Sequence, residues 1–156
     1  MPTPTPLSKW ATTERDGAIF LHATAIALDG QGAIFLGASG AGKSSLAIAT
    51  MALGARLIAD DGVWVVPQAR ALIVKPPHGA PALIEARGVG LLHGGPMCNA
   101  APLCLLVDLD QADEIRLPPR RFAKMGSVYV PLILGAGRIR LDSTVALILR
   151  HGIAAV

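Results

Sequence analysis

Residues 37 to 44 read Gly37-Ala38-Ser39-Gly40-Ala41-Gly42-Lys43-Ser44, a full match to the pattern GxxxxGK[ST], and they follow the apolar run Ala33-Ile34-Phe35-Leu36. Few octapeptides constrain a fold as tightly. The glycines let successive backbone N–H groups turn toward one anion, and a helix beginning at Lys43 presents its positive dipole end to the same point. The flanks agree with that reading: a β-type run precedes the motif, and Ser45 to Leu53 forms a helical run that Gly54 stops. Residues 37 to 45 (Gly37, Ala38, Ser39, Gly40, Ala41, Gly42, Lys43, Ser44 and Ser45) are therefore the expected nucleotide-phosphate cradle. Within it Lys43 would reach the β- and γ-phosphates and Ser44 would reach a magnesium ion.

A chain of 156 residues has room for one domain with a substantial core. Hydrophobic residues make up 52% and charged residues only 16%, a balance that favours strands buried on both faces or contacts between subunits. The net charge of +3 comes from scattered basic residues, with pairs only at Arg120-Arg121 and Arg138/Arg140, so no nucleic-acid-binding arm is expected. Cys98 and Cys104 lie six apart with no CxxC and no histidine at ligand spacing, which reads as free thiols in a reducing compartment. The start, Met1-Pro2-Thr3-Pro4-Thr5-Pro6, has no basic region followed by an apolar stretch, and no run is long enough to span a bilayer. The expectation is a soluble cytoplasmic protein with no membrane partner.

Residues 1–16 are expected to be an extended or disordered lead-in to a single domain at 17–156. Ala18 to Leu28 alternates in a strand-like way, Asp29-Gly30-Gln31-Gly32 supplies hairpin chemistry, and 33–36 feeds the loop. After the helix at 43–53, strands are expected at 56–59, 63–66, 71–75, 82–86, 103–108 and 129–132, with a last helix over 142–151. This is a β-rich α/β balance, with few helices for a doubly wound fold.

Two apolar runs end in carboxylates that suit phosphoryl-transfer chemistry. Leu105-Leu106-Val107-Asp108 has the form of a metal-binding strand end, and Leu57-Ile58-Ala59-Asp60-Asp61 competes with it. The spacing around Lys43 separates them: His22 lies 21 residues before it, Asp60 and Asp61 lie 17 and 18 residues after it, and Glu85-Ala86-Arg87-Gly88-Val89-Gly90 follows. This set, over roughly residues 17 to 118, resembles the catalytic domain of HPr kinase/phosphorylase, with Ala86 the one departure from that family's E-I-R-G-x-G wording.

The resemblance implies a phosphoenolpyruvate-carboxykinase-like variant of the phosphate-loop fold, and a protein-serine kinase that uses ATP and Mg2+ to phosphorylate HPr. It implies roles for residues as well. Asp61 would accept the proton of the attacking serine hydroxyl, His22 would tune it, Lys43 would stabilise the transferring group, and Arg87 would lie in the segment needed for catalysis. Ser44, Asp60 and Glu85 would be metal ligands, with Asp60 and Asp61 both open as the base. Arg116, in Glu114-Ile115-Arg116-Leu117-Pro118, is the candidate for a late catalytic arginine. Larger family members carry an N-terminal domain, so the likeness is to a short, catalytic-domain form. Of the family's phosphorylase loop P-V-R-P-G-R-N, only an outline is present in Val130 to Arg138, which supports the kinase half of the activity alone. A homo-oligomer, in that family typically a hexamer, is expected. The alternatives are a small-molecule kinase or nucleotide hydrolase, and a non-catalytic nucleotide-binding regulator. No N-K-x-D segment occurs, which disfavours a GTPase.

Overall fold

The computed structural model describes residues 2–155. The chain runs β1 (Thr5–Pro6), a single 3-10 turn (Leu7–Trp10), β2 (Ala11–Arg15), β3 (Ala18–Leu21), β4 (Ala23–Leu28), β5 (Gln31–Leu36), α1 (Lys43–Ala52), β6 (Arg56–Ala59), β7 (Val63–Gln68), β8 (Ala71–Lys75), β9 (Leu83–Ala86), β10 (Gly90–His93), β11 (Ala101–Asp108), β12 (Arg121–Met125), β13 (Val128–Leu134) and α2 (Leu141–His151). Eleven strands form one branched sheet, and β9 pairs with β10 in a separate hairpin.

The branch lies in β11. Its first residues pair antiparallel with β8, and the rest lies parallel to β5 on one edge and to β13 on the other. One arm is therefore the antiparallel series β2-β3-β7-β8, and the other is β1-β12-β13-β11-β5-β4-β6. Every residue of β4 and all of β5 but Gln31 is buried, as strands covered on both faces should be. Side chains of one parity, including Ala25, Ile34, Leu36 and Leu106, pack toward the antiparallel arm and Val63 and Val65. Those of the other parity, Ile26, Phe35, Leu105 and Val107, pack under Leu46 and Ala47 of α1 and Val145 and Leu149 of α2. The result is a mixed α/β, sheet-rich single domain.

Local chemistry accounts for most of these elements. Asp29 and Gly30 both take positive φ, at 51° and 78°, as the two-residue turn between β4 and β5 requires. The amphipathic helix α2 has Asp142 in its first turn, Arg150 and His151 in its last, and a cap at Gly152, all in keeping with its dipole.

Three expectations are corrected. Residues 5–15 are part of the domain and not a lead-in: β1 pairs with β12, β2 pairs with β3, and the Leu7 side chain is fully buried. The alternating prolines mask this, although a proline at a sheet edge costs no ladder bond. Ala18 to Leu28 is two strands and not one, broken at His22, because β3 joins the antiparallel arm and β4 joins the central strands. The segments 90–93 and 121–125, which carry no strand signal of their own, pair through hairpins with β9 and β13.

Candidate functional site

The β5-to-α1 connection at 37–42 opens onto a cleft of about 580 Å³. Its rim brings together His22, the loop glycines, Lys43, Ser44, Ser45, Asp60, Asp61, Glu85 and Arg87. Gly40 and Gly42 have φ of 87° and 104°, values that a side chain would strain, and these two glycines turn the chain into the helix. No side chain caps α1, so its first-turn N–H groups point toward the cleft unclaimed by a capping side chain. Lys43 Nζ donates to Gly37 O at 2.6 Å and Ala38 O at 3.4 Å, which holds the ammonium group across the mouth of the loop.

Each other group arrives on a different element. His22 occupies the break between β3 and β4, and Asp60-Asp61 ends β6, which pairs with β4. Pairing of β4 with both β5 and β6 sets the imidazole, the loop and the carboxylates side by side. Glu85 and Arg87 come from the β9–β10 hairpin, whose Arg87 Nη2 would lie 3.2 Å from a Cβ placed on Gly40.

The two neighbouring carboxylates are not equivalent. Asp60 Oδ1 accepts hydrogen bonds from Thr24 Oγ1 and Ser44 Oγ, each at 2.8 Å, and its Oδ2 accepts from Glu85 N at 3.3 Å. Asp61 takes φ of 68°, a left-handed conformation that aspartate tolerates, and its side chain is 78% exposed. Its Oδ1 lies 3.5 Å from His22 Nδ1. Two such exposed groups add little stability, so the pairing orients the side chains more than it holds the fold.

Beneath this pair lies an aromatic ledge. Phe20 meets His22 edge-on at 6.3 Å between ring centroids, and Trp64 at 5.1 Å. A Cβ on Gly62 would come within 2.6 Å of Phe20 Cζ, so only glycine lets the turn after Asp61 sit on the ring. Gly62→Ala is expected to lower unfolding free energy by about 1–3 kcal/mol, the usual cost of overpacking, as measured by urea denaturation.

Sequence reasoning missed two residues that serve the site. Asp110 accepts the Ala38 N–H with both carboxylate oxygens at 3.0 Å, and so ties the loop to the end of β11. Thr24 anchors Asp60. Asp110 follows the apolar run ending in Asp108 and was within reach of the sequence pattern; a threonine inside an apolar strand gives no such signal. Asp108 itself is buried and holds its own turn through Asp110 N and Gln111 Nε2. Arg116 stands on the exposed segment before β12 and is not among the residues lining the cleft, and Ala41 lines the recess behind the loop. Of the basic pair, Arg121 is committed to Asp113 through two hydrogen bonds and Arg120 lies over Phe122. Both cysteines are free, and burial pushes the Cys104 thiol up, as suits an unreactive side chain. No helix among the described residues is long and apolar enough to cross a membrane.

A glycine-rich strand-to-helix loop, faced by a lysine, an arginine, an imidazole and three carboxylates on a branched sheet, defines a class of sheet-rich α/β domains. Within that class the chain belongs to a family described as the HPr serine kinase C-terminal domain, whose model matches residues 16–97. Among its relatives are the HPr kinase/phosphorylase of Mycoplasmopsis pulmonis, 28% identical over 76% of this chain and 40% of that protein, and that of Caldicellulosiruptor bescii, 37% identical over 56% of this chain and 29% of that protein. The chain thus spans less than half the length of the curated relatives it matches. The fold matches that of the Hpr(Ser) kinase/phosphatase from Coxiella burnetii with a TM-score of 0.70 and 23% identity, over 84% of this chain and 88% of that one.

Proposed function

We propose that this domain is a protein-serine kinase of the phosphoenolpyruvate-carboxykinase-like type that transfers the γ-phosphoryl group of ATP to a serine of the phosphocarrier protein HPr. The observation that carries this reading is the convergence of His22, Lys43, Asp61, Glu85 and Arg87 on one cleft at the loop end of α1. A protein that only bound a nucleotide would need the loop alone. Membership in the HPr serine kinase family supports the choice of substrate, and regulation of the phosphotransferase system is the purpose such a kinase would serve.

Asp61, exposed and with His22 Nδ1 3.5 Å from its Oδ1, accepts the proton from the attacking hydroxyl. His22 holds that carboxylate toward the cleft. Lys43 and Arg87 neutralise the charge that develops on the transferring group, and the first-turn amides of α1 bind the phosphate oxygens. Behind the loop, a recess of about 260 Å³ lined by Leu109, Ala136 and Leu141 shares Gly42 and Ser45 with the cleft, and offers an apolar seat for a base.

The donor set also fits Mg2+. Among the described residues, no three of His, Cys, Asp and Glu form a cluster able to cage an ion. Magnesium keeps several waters and takes one or two carboxylates together with substrate phosphates. Ser44 and Asp60, hydrogen-bonded to each other, and Glu85 beside them would hold it. Bound there, it would supply charge neutralisation on the phosphates. Arg116 has no part in this scheme, and the phosphorylase reaction is left out of it. The assembly is a homo-oligomer in this reading, supported by exposed Val89 and Leu117 and testable by sedimentation velocity.

The direct test is incubation of the chain with γ-labelled ATP, Mg2+ and HPr, with mapping of the labelled residue. Label on an HPr serine is the expected result. ATP turnover with no transfer to HPr would favour a hydrolase or small-molecule kinase, and ATP binding without turnover would favour a regulator.

A further inference from the structure

Three polar side chains are buried among the described residues: Thr24, Thr50 and Asp108. Thr50 bonds to Leu46 O and Ala47 O of its own helix, and Asp108 bonds within its own turn. Thr24 differs from both. Fully inaccessible in β4 and two residues past His22, it sends its hydroxyl 2.8 Å to Oδ1 of Asp60, a residue that lines the cleft.

That bond decides how Asp60 can stand. A buried hydroxyl donating to a carboxylate makes a charge-assisted bond, stronger than one between neutral groups, and β4 gives it little freedom to move. With Oδ1 pinned from below by Thr24, the same oxygen takes the Ser44 hydroxyl and Oδ2 takes the Glu85 N–H. Asp60 thereby ties the helix end of the loop to the hairpin that carries Glu85 and Arg87. Without the Thr24 hydroxyl, the carboxylate keeps only the Ser44 hydroxyl and the Glu85 N–H, and loses its one anchor in the buried strand.

We propose that Thr24 is a positioning residue for metal–nucleotide binding: it touches neither ligand, and acts by fixing the Asp60 carboxylate that joins Ser44 to the β9–β10 hairpin. The inference rests on the reading of the cleft as a metal–ATP site. A plain alternative is that Thr24 serves as a β-branched core residue. Thr24→Val keeps that shape and removes the hydroxyl, whereas Thr24→Ser keeps the hydroxyl and removes a methyl group.

The test titrates the full chain with Mn2+, followed by electron paramagnetic resonance of the free ion, in the presence of saturating non-hydrolysable ATP analogue. Thr24→Val is expected to weaken Mn2+ binding about tenfold, or about 1.4 kcal/mol. Thr24→Ser should stay near wild type, and in an Asp60→Ala background Thr24→Val should add almost nothing, as a residue acting through Asp60 must. Metal-free tripolyphosphate should bind all Thr24 variants alike. Wild-type affinity in Thr24→Val, a Thr24→Ser as weak as Thr24→Val, or a full tenfold loss in the Asp60→Ala background would each overturn the proposal. If the wild type binds neither Mn2+ nor the analogue, the nucleotide reading fails instead. The Thr24–Asp60 coupling is then read from urea midpoints of the wild type, Thr24→Val, Asp60→Ala and the double variant, where purely additive shifts would overturn it.

Discussion

Asp61→Asn is expected to lower the rate of HPr phosphorylation by about 10²–10⁴-fold, the range that a positioned general base contributes, while leaving ATP affinity close to that of wild type. The two halves of this expectation have separate causes. Asparagine has nearly the same shape and can still face His22, but it cannot take the proton of an attacking hydroxyl. In the proposed arrangement Asp61 does not hold the phosphates, so ground-state binding should survive its loss. The neighbouring carboxylate offers a contrast. Asp60 already accepts three hydrogen bonds, two of them from the hydroxyls of Thr24 and Ser44. Its substitution should therefore weaken metal and nucleotide binding before it slows the chemical step. Steady-state kinetics with ATP varied at saturating HPr separate the two patterns. An Asp61→Asn enzyme that keeps its turnover within a few-fold of wild type would show that the proton goes elsewhere.

Lys43→Ala is expected to reduce kcat/KM for ATP by about 10²–10³-fold, the loss seen when one preorganised donor to a developing anion is removed. Lys43 Nζ is anchored on the carbonyls of Gly37 and Ala38, so the ammonium group is in place before any phosphate arrives. Lys43→Arg should restore little, because a planar guanidinium spreads its charge over a fork that the loop carbonyls cannot hold in the same place. Comparison of kcat with KM in both variants tests this. Retention of full kcat with only a raised KM would make Lys43 a binding group and remove it from the transition state.

Most elements were legible because their signals are local. The strands at 56–59 and 71–75 match their apolar patterns, and the Asp29-Gly30 turn declares itself by residue type. The elements that were not legible owe their form to distant partners. Nothing in Arg121 to Met125 marks a strand, yet the turn at Gly126 folds it back on β13 and gives it a ladder. The apolar run from Ala18 to Leu28 reads alike on both sides of His22, although β3 buries only Ile19 and Leu21 whereas β4 buries every one of its residues. A change from one arm of the sheet to the other at His22 leaves no trace in such a run. Leu7 sits among prolines that mimic a solvated tail, and its burial depends on where β12 and the antiparallel arm happen to meet.

The same division runs through the site. By itself the sequence determined the loop, because eight contiguous residues contain the glycines, the lysine and the helix start that an anion cradle needs. It also supplied the set of His22, Asp60, Asp61, Glu85 and Arg87, through the family resemblance that their order around Lys43 carries. Which aspartate is free and which is tied down was decided by tertiary structure alone. β4 pairs with β6 in a register that lays Thr24 against Asp60, and the left-handed turn at Asp61, allowed by Gly62 resting on Phe20, sends the second carboxylate toward His22. Adjacent identical residues cannot be told apart by type. Only the hydrogen-bond donors that long-range pairing brings to one of them make the two carboxylates chemically different.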